Sequence, residues 1–517
     1  MRLLACLLTA LLTVSATAQT FYYDDDTLRE MYRVGIDESQ TRALAHQLLD
    51  VIGPRLAGSE GLEQSQDWLI ETYQEWGVAT EKQEIGTWSR WKGGILHVDM
   101  LAPRVTSLEA ELKAWSPATN GPVTGDVLLP PSDGDIEAWK ANVAGNFVLL
   151  SAPEEMCRAR QELEANAQEA EISALNDRRV GTARAHAARL QHLTGLGNAF
   201  RAAASAASLV DSLGAAGTLE SRWSGGWGVN KVFATNNQQA VSLDVSCEDY
   251  GLLYRLVANG TPVRLRVNAE AEFGGEVPQF NVIARMEGSE LPDEYVILGA
   301  HLDSWHAATG ATDNGTGTLT MLEAARILKE TYPNPRRTIL IGHWANEEVG
   351  LVGSAAFRED NPEIMEGVQA MFNQDNGTWA FERLEGQAFA ESPMFLPRWA
   401  GALPAEWQAR MVVEVPGAQN NAGSDHTSFV CAGIPSFRLQ SPYDEYRQYT
   451  WHTNRDTFDK VMFDHLAMNA TTAAIVAYMA SEDERRFGRE KALLPPSRNG
   501  MARSWRGCRD VVRSSGR

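Results

Sequence analysis

Apolar positions in the first hundred residues recur with the spacing of an amphipathic helix. Trp68 and Leu69 precede Thr72 by four and three residues, which puts the three side chains on one helix face. Gly77 follows this segment and is typical of a helix end. We expect residues 19–104 to form the N-terminal part of the main domain.

A different pattern of short β-type runs fills the next part of the chain, residues 105–273. Residues 125–129 and 146–151 are short apolar runs typical of strands. Between the runs of this part, residues 154–207 are rich in Ala, Glu and Arg and indicate helix. We therefore predict an inserted β-rich domain with a helical arm.

Strand-like and helical segments then alternate through residues 274–485. The helical segments lie at residues 318–329 and 467–480. The strand candidates are residues 295–299, 338–343, 368–372 and 434–439. This alternation predicts an α/β domain, with a mostly parallel sheet flanked by helices.

The two ends of the chain differ from the rest. Residues 1–18 combine one positive charge, a short apolar run and a small-x-small ending at Ala18, which predicts a signal peptide cleaved after that residue. The protein is therefore expected to be secreted or periplasmic. Residues 486–517 are basic with little apolar pattern, and we expect a disordered tail.

Composition excludes several classes of protein. The chain of 517 residues carries 67 acidic against 46 basic side chains, a net charge of −21, which disfavours nucleic-acid binding. After the signal, no run of 18 apolar residues occurs, so no membrane span is predicted. The four remaining cysteines are far apart and form no zinc motif; a Cys157–Cys247 disulfide is permitted but not required.

Polar side chains follow three of the predicted strands. Asp313 lies ten residues past Asp303 in the first cluster, and His452 lies later in the sequence. In open α/β sheets, ligands bind beyond the carboxyl ends of the strands, so these side chains should converge. The candidates are His301, Asp303, Asp313, Glu347, Glu348, Asp375 and His452.

Imidazole and carboxylate groups together suit zinc or a similar divalent metal. Like charges packed this densely would raise one another's pKa unless cations screened them. Two divalent ions would balance three carboxylate ligands and one hydroxide. Each short motif is commonplace alone, but the whole set at strand ends predicts a two-metal site.

These motifs resemble those of the co-catalytic zinc exopeptidases. The resemblance rests on Gly-Ala-His-Leu-Asp-Ser-Trp at 299–305, Asp-Asn-Gly-Thr-Gly at 313–317, the glutamate pair 347–348, Gly-Ser-Asp-His at 423–426 and the final His452. Within this family, the sequence is most similar to the carboxypeptidase Q branch, also called plasma glutamate carboxypeptidase. It implies a metallopeptidase for short peptides, a protease-associated-like insert and a possible homodimer.

The resemblance implies two Zn²⁺ per chain and a role for each candidate ligand. His301 and Asp375 would bind one zinc, Glu348 and His452 the other, and Asp313 would bridge both. The peptide bond that follows Asp313 is implied to be cis.

The resemblance also implies a general base, Glu347, and a carboxylate, Asp303, that accepts the second ring N–H of the first histidine ligand. Several relatives have a tyrosine before the last histidine ligand, where it donates to the oxyanion. Here that position is Trp451, so His426 and Tyr449 are further candidates for an oxyanion or substrate contact.

Three alternatives stay open at this point. An aminopeptidase would use the same metals but an acidic group such as Asp425 for the substrate amine, whereas a carboxypeptidase needs a cation, for which Arg438, Arg447 and Arg455 are candidates. A glutaminyl cyclase shares a similar fold but uses one zinc. A binding protein with a decayed metal site is the third alternative, although every ligand position is filled.

Overall fold

The structure is a computed structural model that describes residues 21–419, 423–494, 496, 501 and 504–516. The predicted signal peptide, residues 1–18, lies outside the described residues. Among the described helices, none is both long and apolar enough to cross a bilayer.

One continuous set of paired strands runs through the molecule. The strands are β1 (Ala79–Ala102), β2 (Thr106–Ser107), β3 (Ala110–Leu112), β4 (Val123–Leu128), β5 (Phe147–Leu149), β6 (Gly217–Glu220), β7 (Val241–Val245), β8 (Arg264–Met286), β9 (Leu291–His301), β10 (Arg337–Trp344), β11 (Val368–Gln374), β12 (Arg383–Glu385), β13 (Val412–Glu414) and β14 (Ser436–Gln440). Their order is β13-β12-β14-β11-β9-β10-β8-β4-β5-β6-β7-β3, with β1 paired to β2 and β8.

Helices cover this sheet. They are α1 (Asp26–Tyr32), α2 (Thr41–Ala45), α3 (Glu60–Glu75), α4 (Ile136–Lys140), α5 (Arg160–Asn166), α6 (Glu169–Thr194), α7 (Ala199–Ser212), α8 (Cys247–Ala258), α9 (Thr316–Thr331), α10 (Val352–Asp360), α11 (Pro362–Gly367), α12 (Ser392–Ala400), α13 (Ala405–Gln408), α14 (His426–Val430), α15 (Asp444–Tyr449) and α16 (Phe463–Glu482). Short turns of other helix types occupy Arg33–Asp37, His46–Ile52, Ala311–Gly315 and Phe458–Lys460. Helices α9 and α16 pack on each other and are buried along most of their length.

The predicted α/β fold is confirmed in residues 274–485. Strands β10, β9, β11 and β14 are neighbours and parallel. The first three contain the predicted segments, and β14 begins two residues later than the predicted 434–439. The inner strands β9, β10 and β11 are apolar and buried, as expected for a sheet covered on both faces. Antiparallel strands β8 and β12 flank the parallel core, so the whole sheet is mixed.

The inserted region is a mixed α/β layer, which differs from the β-rich expectation. Strands β4, β5, β6 and β7 are parallel neighbours, β3 is antiparallel to β7, and helices α4 to α8 supply most of the ordered residues. A disulfide joins Cys157 to Cys247. The likeness to a protease-associated domain stays a prediction, and its boundary at residue 273 falls inside β8.

A long two-stranded ribbon connects the insert to the sheet that contains β9, β10 and β11. Strands β1 and β8 pair antiparallel from Ala79 opposite Arg285 to Ala102 opposite Arg264. Near Ala79 the ribbon borders β10, and near Ala102 it borders β4 of the insert. The two halves of the molecule therefore share continuous backbone hydrogen bonding.

The basic tail differs from the expectation of disorder. We call residues 504–516 the C-terminal strap; they lie against the body of the protein. Cys508 forms a disulfide with Cys431, and Arg513 pairs with Asp360 at 2.8 Å. The composition of the tail did not predict this attachment, because a disulfide and an ion pair with residues distant in sequence leave no local sequence pattern.

Candidate metal centre

The candidate ligands converge at one edge of the parallel core. His301 is the last residue of β9, Glu347 and Glu348 follow β10, and Asp375 follows β11. Because these three strands are parallel neighbours, their carboxyl ends deliver the side chains to the same place.

A single carboxylate, that of Asp313, lies between the two histidines. Its Oδ1 is 3.6 Å from Nε2 of His301, and its Oδ2 is 3.4 Å from Nε2 of His452. This placement is the one that a bridging ligand between two cations requires.

The remaining side chains complete two groups, each with ligand atoms within 4.8 Å of one another. One contains His301, Glu347 and Asp375, and the other Asp313, Glu348 and His452. Within the groups, Nε2 of His301 lies 3.3 Å from Oδ1 of Asp375, and Nε2 of His452 lies 2.9 Å from Oε2 of Glu348.

These separations fit divalent cations. Tetrahedral zinc with bonds of about 2.0–2.1 Å holds its ligand atoms about 3.3 Å apart. Asp313 Oδ2 and Glu348 Oε1 are also buried without a hydrogen-bond partner in the structure. Buried polar atoms are otherwise almost always paired, so these two oxygens are free to bind a cation.

Electrostatics point the same way. Burial raises the pKa of Glu347 and of Glu348 well above the ordinary value, and neighbouring carboxylates raise it further. Burial also opposes ionisation of Asp375, but His301 outweighs it and lowers the pKa of that carboxyl to about 2. For His301, burial lowers the pKa, yet the charges of Asp375 and Glu347 raise it well above the ordinary value. Bound cations would replace the shared protons and favour ionised carboxylates with neutral imidazoles.

Asp303 supports the ligands differently from the expected way. Nδ1 of His301 lies 2.9 Å from the main-chain carbonyl of Asp303, whereas the carboxylate Oδ1 is 3.7 Å away, beyond hydrogen-bond distance. The carboxylate instead accepts the main-chain N–H groups of Glu347 and Glu348 at 3.0 and 3.1 Å. The carboxylate thereby fixes the turn after β10. The main-chain carbonyl of Asp303, and not its carboxylate, makes the expected contact with the imidazole ring of His301.

Asp456, which sequence reasoning missed, holds the loop that presents Asp313. Its two carboxylate oxygens accept the main-chain N–H groups of Thr312 and Asp313 at 2.8 and 3.0 Å. The peptide bond between Asp313 and Asn314 is cis, as the resemblance implies. The only sequence signal for Asp456 is its position four residues after His452.

Arg55 is a second support that the sequence did not reveal. This fully buried guanidinium donates to the carbonyl oxygens of Leu302, Gly53, Thr309 and Gly310 at 2.7–3.0 Å. It thereby joins the turn before α3 to the loop between the first two candidate ligands. Burial lowers the pKa of Arg55 to about 10.

Side chains from the insert and from the loop after β9 orient the second group. The indole N–H of Trp305 donates to Oε2 of Glu348 at 2.9 Å. From the insert, the ring of Phe233 lies 5.0 Å from that of His452, and the N–H of Val232 donates to the His452 carbonyl at 2.9 Å. The insert therefore contributes directly to the geometry of the site.

The three tentative substrate contacts lie in different surroundings. Trp451 lines the cavity beside the ligands and stacks on His452 at 3.9 Å. His426 is fully buried, makes no hydrogen bond through its ring, and burial lowers its pKa to about 3. Tyr449 packs beside Gly226 of the insert. Of the three, the structure brings only Trp451 to the described cavity wall.

Tyr446 was also missed by sequence reasoning. It is buried, and its pKa is raised well above the ordinary value, first by burial and then by the charges of Asp313 and Asp375. The phenol of Tyr446 therefore lies within electrostatic reach of both ligand groups.

A cavity of about 390 Å³ opens onto these ligands. Its walls include Asp313, Glu347, Glu348, Asp375 and His452, together with residues of the C-terminal strap. Pockets of this size suit small ligands. A dipeptide or the end of a short peptide is therefore of the right scale.

Comparison with known proteins agrees with this geometry. The profile of peptidase family M28 matches residues 281–478. Carboxypeptidase Q of Mus musculus is 24% identical over 438 residues, covering 84% of this chain and 84% of that protein.

Two solved structures share the fold. A peptidase M28 precursor from Shewanella amazonensis has a TM-score of 0.66 at 22% identity, covering 91% of this chain and 98% of its own. A zinc aminopeptidase from Bacillus subtilis has a TM-score of 0.56 at 18% identity, covering 87% and 96%. Segment 281–478, which matches peptidase family M28, contains all the candidate ligands, and the chain is a zinc exopeptidase related to carboxypeptidase Q.

Proposed function

We propose that this protein is an exported di-zinc exopeptidase that hydrolyses dipeptides or short peptides in the manner of a carboxypeptidase. The observation that carries the two-metal part is the carboxylate of Asp313, which presents one oxygen to each histidine. A one-zinc enzyme such as a glutaminyl cyclase has no need of a second complete ligand group.

Each ligand group has a separate task in this proposal. His301 and Asp375 would hold one zinc, Glu348 and His452 the other, and Asp313 both. When bound, the ions would polarise the scissile carbonyl and lower the pKa of the attacking water.

Glu347 is the proposed general base. Its carboxylate lies within 4.8 Å of the ligand atoms of His301 and Asp375 and lines the cavity, so it can reach a water placed between the ligands and the substrate. It takes the proton as that water attacks the carbonyl carbon and passes it to the departing nitrogen. Asp303 holds the Glu347 main chain and so keeps the carboxylate aimed at the cavity.

An aminopeptidase is the second candidate because the ligand groups suit either end of a peptide. The acidic group considered for a substrate amine, Asp425, is fully buried and is not among the described cavity-lining residues. This observation favours the carboxypeptidase proposal.

Export is supported by chemistry as well as by the predicted signal. The structure contains two disulfides, Cys157–Cys247 and Cys431–Cys508, which persist in oxidising compartments. The homodimer implied by the resemblance stays a prediction.

One experiment tests the proposal at three points. Elemental analysis of the purified mature chain should give about two zinc ions per chain. N-acetylated dipeptides with a free carboxylate should be cleaved, and C-amidated dipeptides with a free amine should not. Cleavage of only the amidated set would support the aminopeptidase, and one zinc with cyclisation of N-terminal glutamine would support the cyclase.

The general base is tested by a pair of substitutions. Glu347→Gln should lower kcat about 10²–10⁴-fold with the zinc content unchanged. Glu348→Gln, the matched control, should lose zinc from the second group as well as activity. Full activity in Glu347→Gln would exclude the assigned role.

A further inference from the structure

The C-terminal strap forms one wall of the catalytic cavity. Strap residues Arg506 to Val511 line the same space as Glu347, Glu348 and His452. The cavity therefore combines the metal-ligand edge of the sheet with a segment from the far end of the chain.

The strap is anchored on both sides of this wall. Before it, the indole N–H of Trp505 donates to the Ala492 carbonyl at 3.3 Å. Within it, Cys508 is joined to Cys431. After it, Arg513 forms ion pairs on α10, and the Thr87 N–H donates to its carbonyl at 2.8 Å. These anchors hold residues 506–511 in place.

Among the described residues, three arginines line the cavity, and two of them come from the strap. Arg358 is occupied: it donates to the Ser428 carbonyl at 3.0 Å and pairs with Glu359 at 2.8 Å. Arg506 and Arg509 are exposed, and neither forms an ion pair with another described residue. The strap therefore brings free positive charge to the cavity wall.

The arginines suggested by sequence alone are engaged elsewhere. Arg455 pairs with Glu109, and Arg438 donates to the main-chain carbonyl of Asp375 at 3.2 Å. Arg447 stacks on Trp451 at 3.6 Å. None of these three arginines is among the described residues that line the cavity.

We propose that Arg506 and Arg509 of the strap receive the terminal carboxylate of the peptide substrate. A carboxylate that enters a cavity walled by Glu347 and Glu348 needs nearby cations, and guanidinium groups bind carboxylates through paired N–H donors. Asp510 of the strap lines the same cavity and offsets one of the two positive charges, so the strap stays net positive there. This inference rests on the proposed carboxypeptidase function and assigns its end-specificity to the strap.

The test compares one N-acetylated dipeptide with its C-terminal amide. In the double variant Arg506→Ala/Arg509→Ala, KM for the free acid should rise about 10–100-fold with kcat within about threefold, and any slow cleavage of the amide should be unchanged. The control Arg178→Ala/Arg184→Ala removes the same charge from exposed positions on α6 and should match the wild type. The lysine pair Arg506→Lys/Arg509→Lys should recover part of the loss.

A binding measurement separates recognition from turnover. In the Glu347→Gln background, calorimetry should show that the acetylated dipeptide binds about 10–100-fold more weakly when both arginines are absent. Cys508→Ser, which frees the strap from Cys431, should weaken the same binding.

The outcomes distinguish the two proposals. If the wild type cleaves the free acid and the arginine variants have the same KM and affinity for it as the wild type, only the strap inference is overturned. If the arginine variants had a higher kcat/KM for the acid and the amide alike, the inference would also be overturned. That result would show that the strap obstructs substrate entry. A wild type inactive on both substrates would overturn the carboxypeptidase proposal, and the inference with it.

Discussion

At the scale of single residues, the metal centre depends on hydrogen bonds to the ligands as much as on the ligands themselves. Glu348 is a clear case, because its Oε2 accepts the indole N–H of Trp305 while its Oε1 has no hydrogen bond. One oxygen is thus oriented by the protein, and the other is free for a cation.

Trp305→Phe should weaken zinc binding at the second group. The substitution removes the N–H that orients Glu348, and the loss of such a contact costs about 10–100-fold in metal affinity. Competition with a chromophoric chelator measures the change. Trp379→Phe is the matched control, because its indole N–H donates to the exposed Glu445. Equal zinc affinity in both variants would contradict the role given to Trp305.

A buried carboxyl in the insert predicts a pH effect on stability. Burial, reinforced by the charge of Glu220, raises the pKa of Asp244 to about 7. The unfolded carboxyl titrates near 4, so between pH 4 and 7 the folded state binds more protons, and its stability falls as pH rises.

Asp244→Asn should therefore be more stable than the wild type at pH 8, by at most about 4 kcal/mol, and the advantage should vanish below pH 4. Urea unfolding across this pH range measures the difference. A constant difference between the two proteins at all pH values would show that Asp244 does not titrate in this window.

At the scale of elements, the loop between β9 and α9 is held from outside by Arg55. Its guanidinium joins four carbonyl oxygens, two of them at Thr309 and Gly310 just before Asp313. The loop therefore depends on a side chain about 250 positions earlier in the chain.

Arg55→Met should destabilise the protein by about 3–5 kcal/mol, because four carbonyls, three of them in fully buried hydrogen bonds, lose their donor. The free energy of unfolding in urea measures this loss, and zinc affinity should fall with it. Arg178→Ala, an exposed change on α6, should stay within about 0.5 kcal/mol of the wild type. A similarly small change in Arg55→Met would contradict the structural role.

The sequence predicted elements well where one local pattern decides them. Strands β9, β10 and β11 each contain a mainly apolar run, and the polar residues after them converge because parallel strands end at one edge. Arg55 and Asp456 could not be predicted in this way. Each acts through main-chain groups brought near by the fold, and no spacing along the chain records such contacts.

At the scale of the whole molecule, bound zinc should contribute to stability. The centre gathers carboxylates from the segments that follow β9, β10 and β11, and without cations their mutual repulsion and burial oppose folding. Ligands that bind only the folded state stabilise it, by about 4 kcal/mol at a concentration 1,000 times Kd.

A chelator should therefore lower the Tm, and added zinc should restore it. Differential scanning calorimetry of the full chain measures both changes, and the same chelator saturated with zinc is the control. An unchanged Tm after complete removal of zinc would contradict a metal contribution to folding.

The tail shows the limit of composition at this scale. Six arginines in residues 495–517 suggested a solvated segment, yet the strap is held by Cys431 and by acidic residues of α10. A basic segment of an acidic protein has many possible partners on its surface, and only the fold decides which are near.

The ribbon of β1 and β8 suggests an evolutionary origin for the inserted region. Ala102 and Arg264 face each other across the ribbon, so everything between them leaves and re-enters at neighbouring points. A short hairpin turn would close that gap. A single insertion event at the tip of an ancestral hairpin could thus have added the whole extra layer without disturbing the order of any other strand.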